Sequence, residues 1–219
     1  MRRTLRSRLT LAATLVMFAL TAALITRNEQ FVFQNEGRLV VKPDAGDPDA
    51  VVFIWRSDVE TPMARRFAEG FDEWKGETRR IIIDLNSPGG SIHEGEEVIR
   101  AIERMKKTHI VDTRVRARRA CYSMCVPIFL QGEQRTAAAS SKWMFHEPIA
   151  VDAISGKEVR QPAFERRYAA RKFFTRYFAN SDMDPAWREK LLQDMKGKEI
   201  WKTGRALVDE GSGIVTALE

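Results

Sequence analysis

Ile81-Ile82-Ile83-Asp84-Leu85-Asn86-Ser87-Pro88-Gly89-Gly90-Ser91 is a run of branched apolar residues that stops at a turn built from a proline and two glycines. The run reads as a buried strand over 80–85, the Pro-Gly-Gly as its sharp exit, and the residues from about Glu94 to Lys106 as a helix. On the N-terminal side, Ala50 to Trp55 is a second continuous apolar run, as in a strand covered on both faces. Between the two strands, Met63, Phe67, Phe71 and Trp74 recur at helical spacing, with Thr61 as cap and Pro62 at the first helical position. That aromatic stripe reads as core set against a sheet, not as a ligand box. On the C-terminal side Ile110 to Val115 is a further strand. Strand, helix, strand, helix, strand implies a parallel sheet, and in parallel sheets sites gather at the carboxyl ends of the strands. Asn86 to Gly90 occupies one such end and Ala117 to Tyr122 the next.

The second end continues as Arg118-Arg119-Ala120-Cys121-Tyr122-Ser123-Met124-Cys125-Val126-Pro127-Ile128-Phe129-Leu130. Ser123 stands on the threshold of an apolar run that reads as a buried helix. A hydroxyl there lies near unpaired backbone N–H groups, which suits a nucleophile whose substrate develops an oxyanion. Serine is equally an ordinary helix N-cap. Downstream, Lys142-Trp143-Met144-Phe145-His146-Glu147-Pro148 is a short strand carrying a histidine at its end. The chain has three histidines. His93 sits at a loop-to-helix junction and His109 opens a strand, so His146 is the candidate base.

Taken together, a strand followed by Asn-Ser-Pro-Gly-Gly-Ser, a small-x-Ser-Met segment opening a helix, and Met-Phe-His-Glu-Pro resemble the ClpP-type serine peptidases of the ClpP/crotonase fold. Cys-x-Ser-x-Cys around the serine and a membrane-directed N-terminus are similar to the periplasmic, membrane-associated branch of that group. The resemblance runs from Val51 to Val215 and is strong in the three blocks just quoted. It implies an α/β fold of repeated β-α units, with a mainly parallel sheet flanked by helices. It also implies Ser123 as nucleophile, His146 as general base, and the backbone N–H groups of Gly90 and Met124 as the oxyanion hole. Peptide or protein substrate would lie as an added strand beside the glycine loop. For the acid that orients the histidine, Asp194 fits the family's interval best, with Asp182 and Asp184 as alternatives. Each also reads as a solvated helix or cap residue, Asp184 ahead of Pro185 above all. The sequence around them departs from the family pattern, so a Ser-His pair without an acid and an inactive relative both stay open.

Cys121 and Cys125 are the only cysteines. In an exported domain such a pair suggests a disulfide, which residues four apart can form only where the backbone is bent or one partner precedes the helix. Two buried thiols, or a cysteine nucleophile served by His146, are the alternatives. Two sulfurs and one histidine lack a fourth ligand for zinc, and no metal or cofactor is expected.

At 219 residues the chain accommodates a leader and one domain with a substantial core. Its net charge of +6 lies partly in Arg2, Arg3, Arg6 and Arg8, so charge does not demand nucleic acid as a partner. Those arginines precede Leu9 to Ile25, an apolar run without a charge. Basic flank and apolar centre are the layout of an export signal, near the lower length limit for an uncleaved anchor. The expected division is therefore 1–27 signal anchor or signal peptide, 28–49 connector and 50–219 domain. Lysine and arginine bias directs the domain to the periplasmic side of a bacterial-type inner membrane, or into the periplasm if the leader is cleaved.

Arg114, Arg116 and Arg118 alternate along one strand face and read as a solvated edge or subunit surface. Phe164 to Phe178 reads as an aromatic and basic helix, one that serves assembly, packs on its own domain or meets lipid headgroups. Family members use this region for subunit contacts, which implies a homo-oligomer. Trp201 to Gly211, followed by Ile214-Val215, is similar to the family's closing helix and short strand. The functional expectation is an exported serine hydrolase acting as a peptidase. An inactive crotonase-fold scaffold and an esterase on the same site are the competing expectations.

Overall fold

The structure, a computed structural model, describes residues 39–152, 157–179 and 181–219. The leader expected over residues 1–27, with its apolar helix, falls outside these. Among the described residues no helix is long and apolar enough to cross a membrane. In chain order the elements are β1 (Val40–Pro43), β2 (Ala50–Trp55), α1 (Met63–Trp74), β3 (Arg80–Leu85), α2 (Ile92–Met105), β4 (Ile110–Val115), β5 (Ala120–Tyr122), α3 (Cys125–Phe129), β6 (Arg135–Ala137) and β7 (Lys142–Phe145). There follow the short strands β8 (Ala150–Val151) and β9 (Glu158–Val159), then α4 (Ala163–Tyr177), α5 (Pro185–Asp194), β10 (Ile200–Thr203), α6 (Gly204–Asp209) and β11 (Ala217–Leu218).

The main sheet has the order β1-β2-β3-β4-β6-β11, with every neighbouring pair parallel except the edge pair β1-β2. This is the mixed α/β architecture that the alternating strand and helix patterns imply. The sheet starts at Val40, so part of the expected connector serves as its edge strand. The last strand lies at Ala217–Leu218, just beyond the expected Ile214-Val215, and both of those residues are buried.

Burial of β2 and β3 follows from their composition: all of β2 except Ile54 is buried, as are Ile81, Ile83, Asp84 and Leu85 of β3. Phe67 of α1 meets Phe53 and Trp55 edge-on, with ring centroids 5.9 and 6.1 Å away. Each such side chain contributes about 1.5–3 kcal/mol when fully buried, which is what seats α1 on the sheet. Thr61 does not cap that helix. Its hydroxyl donates to Glu94 Oε2 at 2.9 Å, while Glu94 Oε1 accepts from the Ala64 amide at 2.7 Å. The cap is supplied from α2, because Glu94 is held at the first turn of that helix by Ser91, the α2 N-cap.

The arginines of β4 correct one expectation. The strand lies between β3 and β6, inside the sheet, and so offers no solvated edge. Asp84 is fully buried, and three guanidinium groups converge on its carboxylate: Arg56 at 2.6 Å, Arg116 at 2.6 Å and Arg114 at 3.3 Å. Burial lowers the pKa of Arg56 from its ordinary value, and the neighbouring Asp84 carboxylate works against that fall. Arg114 is the more enclosed of the set, Arg116 reaches Asp84 from an exposed position, and Arg118, at φ 59°, turns to solvent.

A second sheet, in the order β10-β7-β5, leans on the carboxyl end of the first. The joint is made of backbone and one side-chain amide. Asn86 Oδ1 accepts from the Ala120 amide at 2.9 Å, Ser87 N–H donates to Ala120 O at 2.9 Å, and Tyr122 N–H donates to Ser87 O at 3.0 Å. The Pro-Gly-Gly turn and the Ser123 segment are thereby fixed side by side.

Removing a buried counter-charge leaves its partners uncompensated. Asp84→Ala is therefore expected to lower the unfolding free energy by about 3–5 kcal/mol, read from the urea midpoint. Arg116→Ala, at a guanidinium 47 % exposed, should cost about 1 kcal/mol or less. Equal losses at the two positions would mean that Asp84 acts only as a surface pair.

Candidate active site

The chain leaves β5 at Tyr122, turns at Ser123 and enters α3 at Cys125. The sequence expectation set Ser123 on the threshold of this helix. It stands two residues ahead of α3, with φ 51°. A left-handed conformation at a residue other than glycine costs about 1–3 kcal/mol and persists only where its surroundings enforce it. Here Ser123 N–H donates to Met144 O at 2.9 Å, and Ser123 O accepts from the Val126 amide at 3.0 Å. The turn is also crosslinked. Cys121 and Cys125 form a disulfide with their Cα atoms 5.2 Å apart, and both are fully buried. The bend at Ser123 is what lets residues four apart meet. A loop this short contributes only about 2 kcal/mol through chain entropy.

Against this turn lies the glycine loop. Gly89 has φ 90°, and a Cβ there would fall 2.7 Å from both Ser123 Cβ and Tyr122 O. Gly90 has φ 147°, and a Cβ there would fall 2.6 Å from Val59 O. Glycine is thus required twice, for backbone angle and for close approach. Val59 clamps the loop: its amide donates to Gly89 O and its carbonyl accepts from Ser91 N–H, each at 2.8 Å. Among the described residues the amides of Gly90 and Met124 donate to no carbonyl or side chain. Both residues line the cavity that also holds Ser123 and His146. On the other side of Met124, α2 passes with Gly95 against it, where a Cβ would come within 2.4 Å of the methionine side chain.

His146 directly follows β7, and its Nε2 lies 2.8 Å from Ser123 Oγ. The next residue, Glu147, is buried and anchors this segment by accepting from the Gly197 amide at 3.2 Å and facing Arg166 at 3.5 Å. His93 is exposed, and His109 is occupied by Thr108 Oγ1 and the Lys75 carbonyl. None of the three candidate acids meets His146. Asp194 closes α5, with its side chain 46 % exposed and paired with Lys190. Asp182, its side chain 86 % exposed, faces Arg135 at 3.3 Å. Asp184 caps α5 by accepting from the Trp187 amide at 2.7 Å. Among the described residues no carboxylate is hydrogen-bonded to either ring nitrogen of His146. The described residues also hold no cluster of acids, histidines and cysteines fit for a metal ion.

Beside the hydroxyl and imidazole opens a cavity of about 230 Å³ whose wall is mainly apolar: Ile92, Phe145, Ile149, Phe173, Phe174 and Phe178. Sequence reasoning placed Phe173, Phe174 and Phe178 on a helix used for assembly or packed on its own domain, and not around a cavity. Their signal was the row Ala170, Phe174, Phe178, one helical turn apart and buried together, with Phe174 and Phe178 stacked at 4.5 Å. The outer face of α4 is different in kind, with Phe164 and Tyr168 65 % and 71 % exposed. A hydroxyl hydrogen-bonded to an imidazole, next to unpaired amides and an apolar cavity, is an arrangement suited to acyl transfer.

The fold and the sequence both have counterparts among known proteins. A solved ClpP1 mutant from Listeria monocytogenes is similar in fold, with a TM-score of 0.57 and 16 % identity over 77 % of this chain and 90 % of that one. No curated protein matches the chain. The family model described as Clp protease matches residues 54–209, most of the chain and all of the segments that build the site. The chain belongs to the Clp protease family.

Proposed function

We propose that this member of the Clp protease family is an exported serine peptidase that cleaves peptide bonds through Ser123 and His146. The observation that carries the reading is the 2.8 Å hydrogen bond between Ser123 Oγ and His146 Nε2. His146 takes the Ser123 proton as Oγ attacks the scissile carbonyl, and returns it to the leaving amine. The negative charge that develops on the carbonyl oxygen is received by the amides of Gly90 and Met124, which have no other partner among the described residues. Substrate lies as an added strand along the glycine loop, and the side chain next to the scissile bond enters the apolar cavity of about 230 Å³.

The reading assigns the chemistry to a Ser-His pair, with Asp194 left to its pairing with Lys190. His146 is oriented by Ser123 itself and by the Glu147 anchor behind it. The charged leader and apolar run support export, tethering to the inner membrane and a working domain in the periplasm. Assembly into a homo-oligomer is part of the same proposal, with the exposed face of α4 as its surface. A second reading, peptide binding without turnover, is favoured by the lack of a carboxylate on His146 among the described residues. An esterase on the same residues differs only in substrate.

A fluorophosphonate probe separates turnover from binding. The full chain is expected to label, Ser123→Ala to lose labelling, and His146→Ala to label about 100-fold more slowly or worse. An unlabelled wild-type chain would leave the binding reading standing, and faster turnover of small esters than of any peptide in a library would favour the esterase. Asp194→Asn should change peptidase turnover by less than about twofold, because its ion pair is an exposed one; a loss of 100-fold would restore Asp194 as the orienting acid. In cell fractions washed with alkaline carbonate, the chain is expected in the membrane pellet at full length. Its recovery as a shortened soluble protein would mean a cleaved leader.

A further inference from the structure

We infer that the Cys121–Cys125 disulfide is a redox latch on the Ser123 turn: bonded, the site is competent, and reduced, the chain stays folded while Ser123 loses its reactivity. The inference rests on Ser123 being the nucleophile and concerns how that site is regulated.

The placement of the bond carries the argument. Cys121 belongs to β5, where it pairs with Trp143 and bridges to Ser87, so its backbone is held from two sides. Cys125 is the first residue of α3, a helix of 5 residues, too short to keep its own geometry. Between them stands Ser123 in a left-handed conformation that an unconstrained chain relaxes away from. The crosslink therefore ties a rigid strand to a weak helix across the one strained residue of the site. Neither cysteine belongs to the six-stranded sheet, which is paired without them, so the fold does not depend on the bond as the turn does.

The exchange itself is simple. A thiolate of an external dithiol attacks one sulfur, the other cysteine leaves as thiolate and takes a proton, and the second thiol of the reagent resolves the mixed disulfide. Two electrons pass to the protein, giving two cysteine thiols, and the dithiol becomes a disulfide. Because these are the only 2 cysteines, reduction has no other product and reoxidation no wrong partner. Both sulfurs are fully buried, so the turn must open for exchange to occur. In a reducing cytosol the chain would be held with free thiols, and in an oxidising compartment it would be bonded. The latch thus keeps the hydrolase silent until it has crossed the membrane.

The test compares the full chain before and after dithiothreitol, with thiols counted, far-UV circular dichroism recorded, and the rate of Ser123-dependent fluorophosphonate labelling measured. Reduction is expected to expose two thiols, leave the circular dichroism unchanged and slow labelling about 100-fold, the scale of loss for a misplaced reacting group. Oxidised glutathione should restore the rate. The double variant Cys121→Ala, Cys125→Ala should label at the reduced rate and ignore dithiothreitol. Equal labelling in both redox states overturns the latch and leaves the hydrolase reading intact. Loss of circular dichroism on reduction also overturns it, by making the bond a general crosslink. Absence of labelling in the oxidised chain overturns both readings.

Discussion

The approach on which the site rests is the one between Gly89 and the turn at Ser123. Two backbones meet there with no room for a Cβ on one of them, and the other is bent into a conformation that serine avoids. Everything else about the site depends on that contact. The β3 strand must stop at Leu85 for the glycine loop to reach the second sheet. The β5 strand must stop at Tyr122 for Ser123 to turn back toward it. The hydrogen bonds of Ser87 and Val59, with the one Asn86 Oδ1 accepts from Ala120, hold the loop, and those to Met144 and from Val126 hold the turn.

Beneath this contact is a charge arrangement that could have been a weakness. A carboxylate without solvent is destabilising unless its lone pairs are used, and three guanidinium groups use those of Asp84. The cluster sits at the last turn of the pleat before the chain leaves β3, and Arg56 also donates to the Asp84 carbonyl at 2.9 Å. The exit direction of the loop is thus set by ionic hydrogen bonds of defined geometry, where apolar contacts alone would leave it loose.

How much of this was legible in the sequence depended on whether one segment decided the outcome. The βαβαβ core was legible because Ala50 to Trp55 is apolar without interruption, Ile81 to Leu85 is broken only by Asp84, and the stripe Met63, Phe67, Phe71, Trp74 has one reading. Ser123 and His146 were singled out by motif, and they lie within hydrogen-bond distance of each other. The left-handed turn was not legible, since no local signal distinguishes a serine at φ 51° from an N-cap serine; the enforcing contact comes from Gly89, far away in sequence. Arg114 and Arg116 misled because alternation in a strand usually marks a wet face, and their partner Asp84 lies on another strand. The cavity beside Phe173, Phe174 and Phe178 was not legible, because an aromatic row on a helix looks the same whether it meets a subunit, the core or a cavity.

Gly95 brings a consequence of its own. The α2 backbone slides so near Met124 that the thioether occupies the space where any other residue's first carbon would be. Positions 95 and 124 are therefore linked: enlargement at one demands trimming at the other, a swing of the methionine side chain, or a retreat of the helix from the turn that holds the nucleophile. Across diverged sequences of this architecture, the two sites should change in tandem, as a lock and its matching notch.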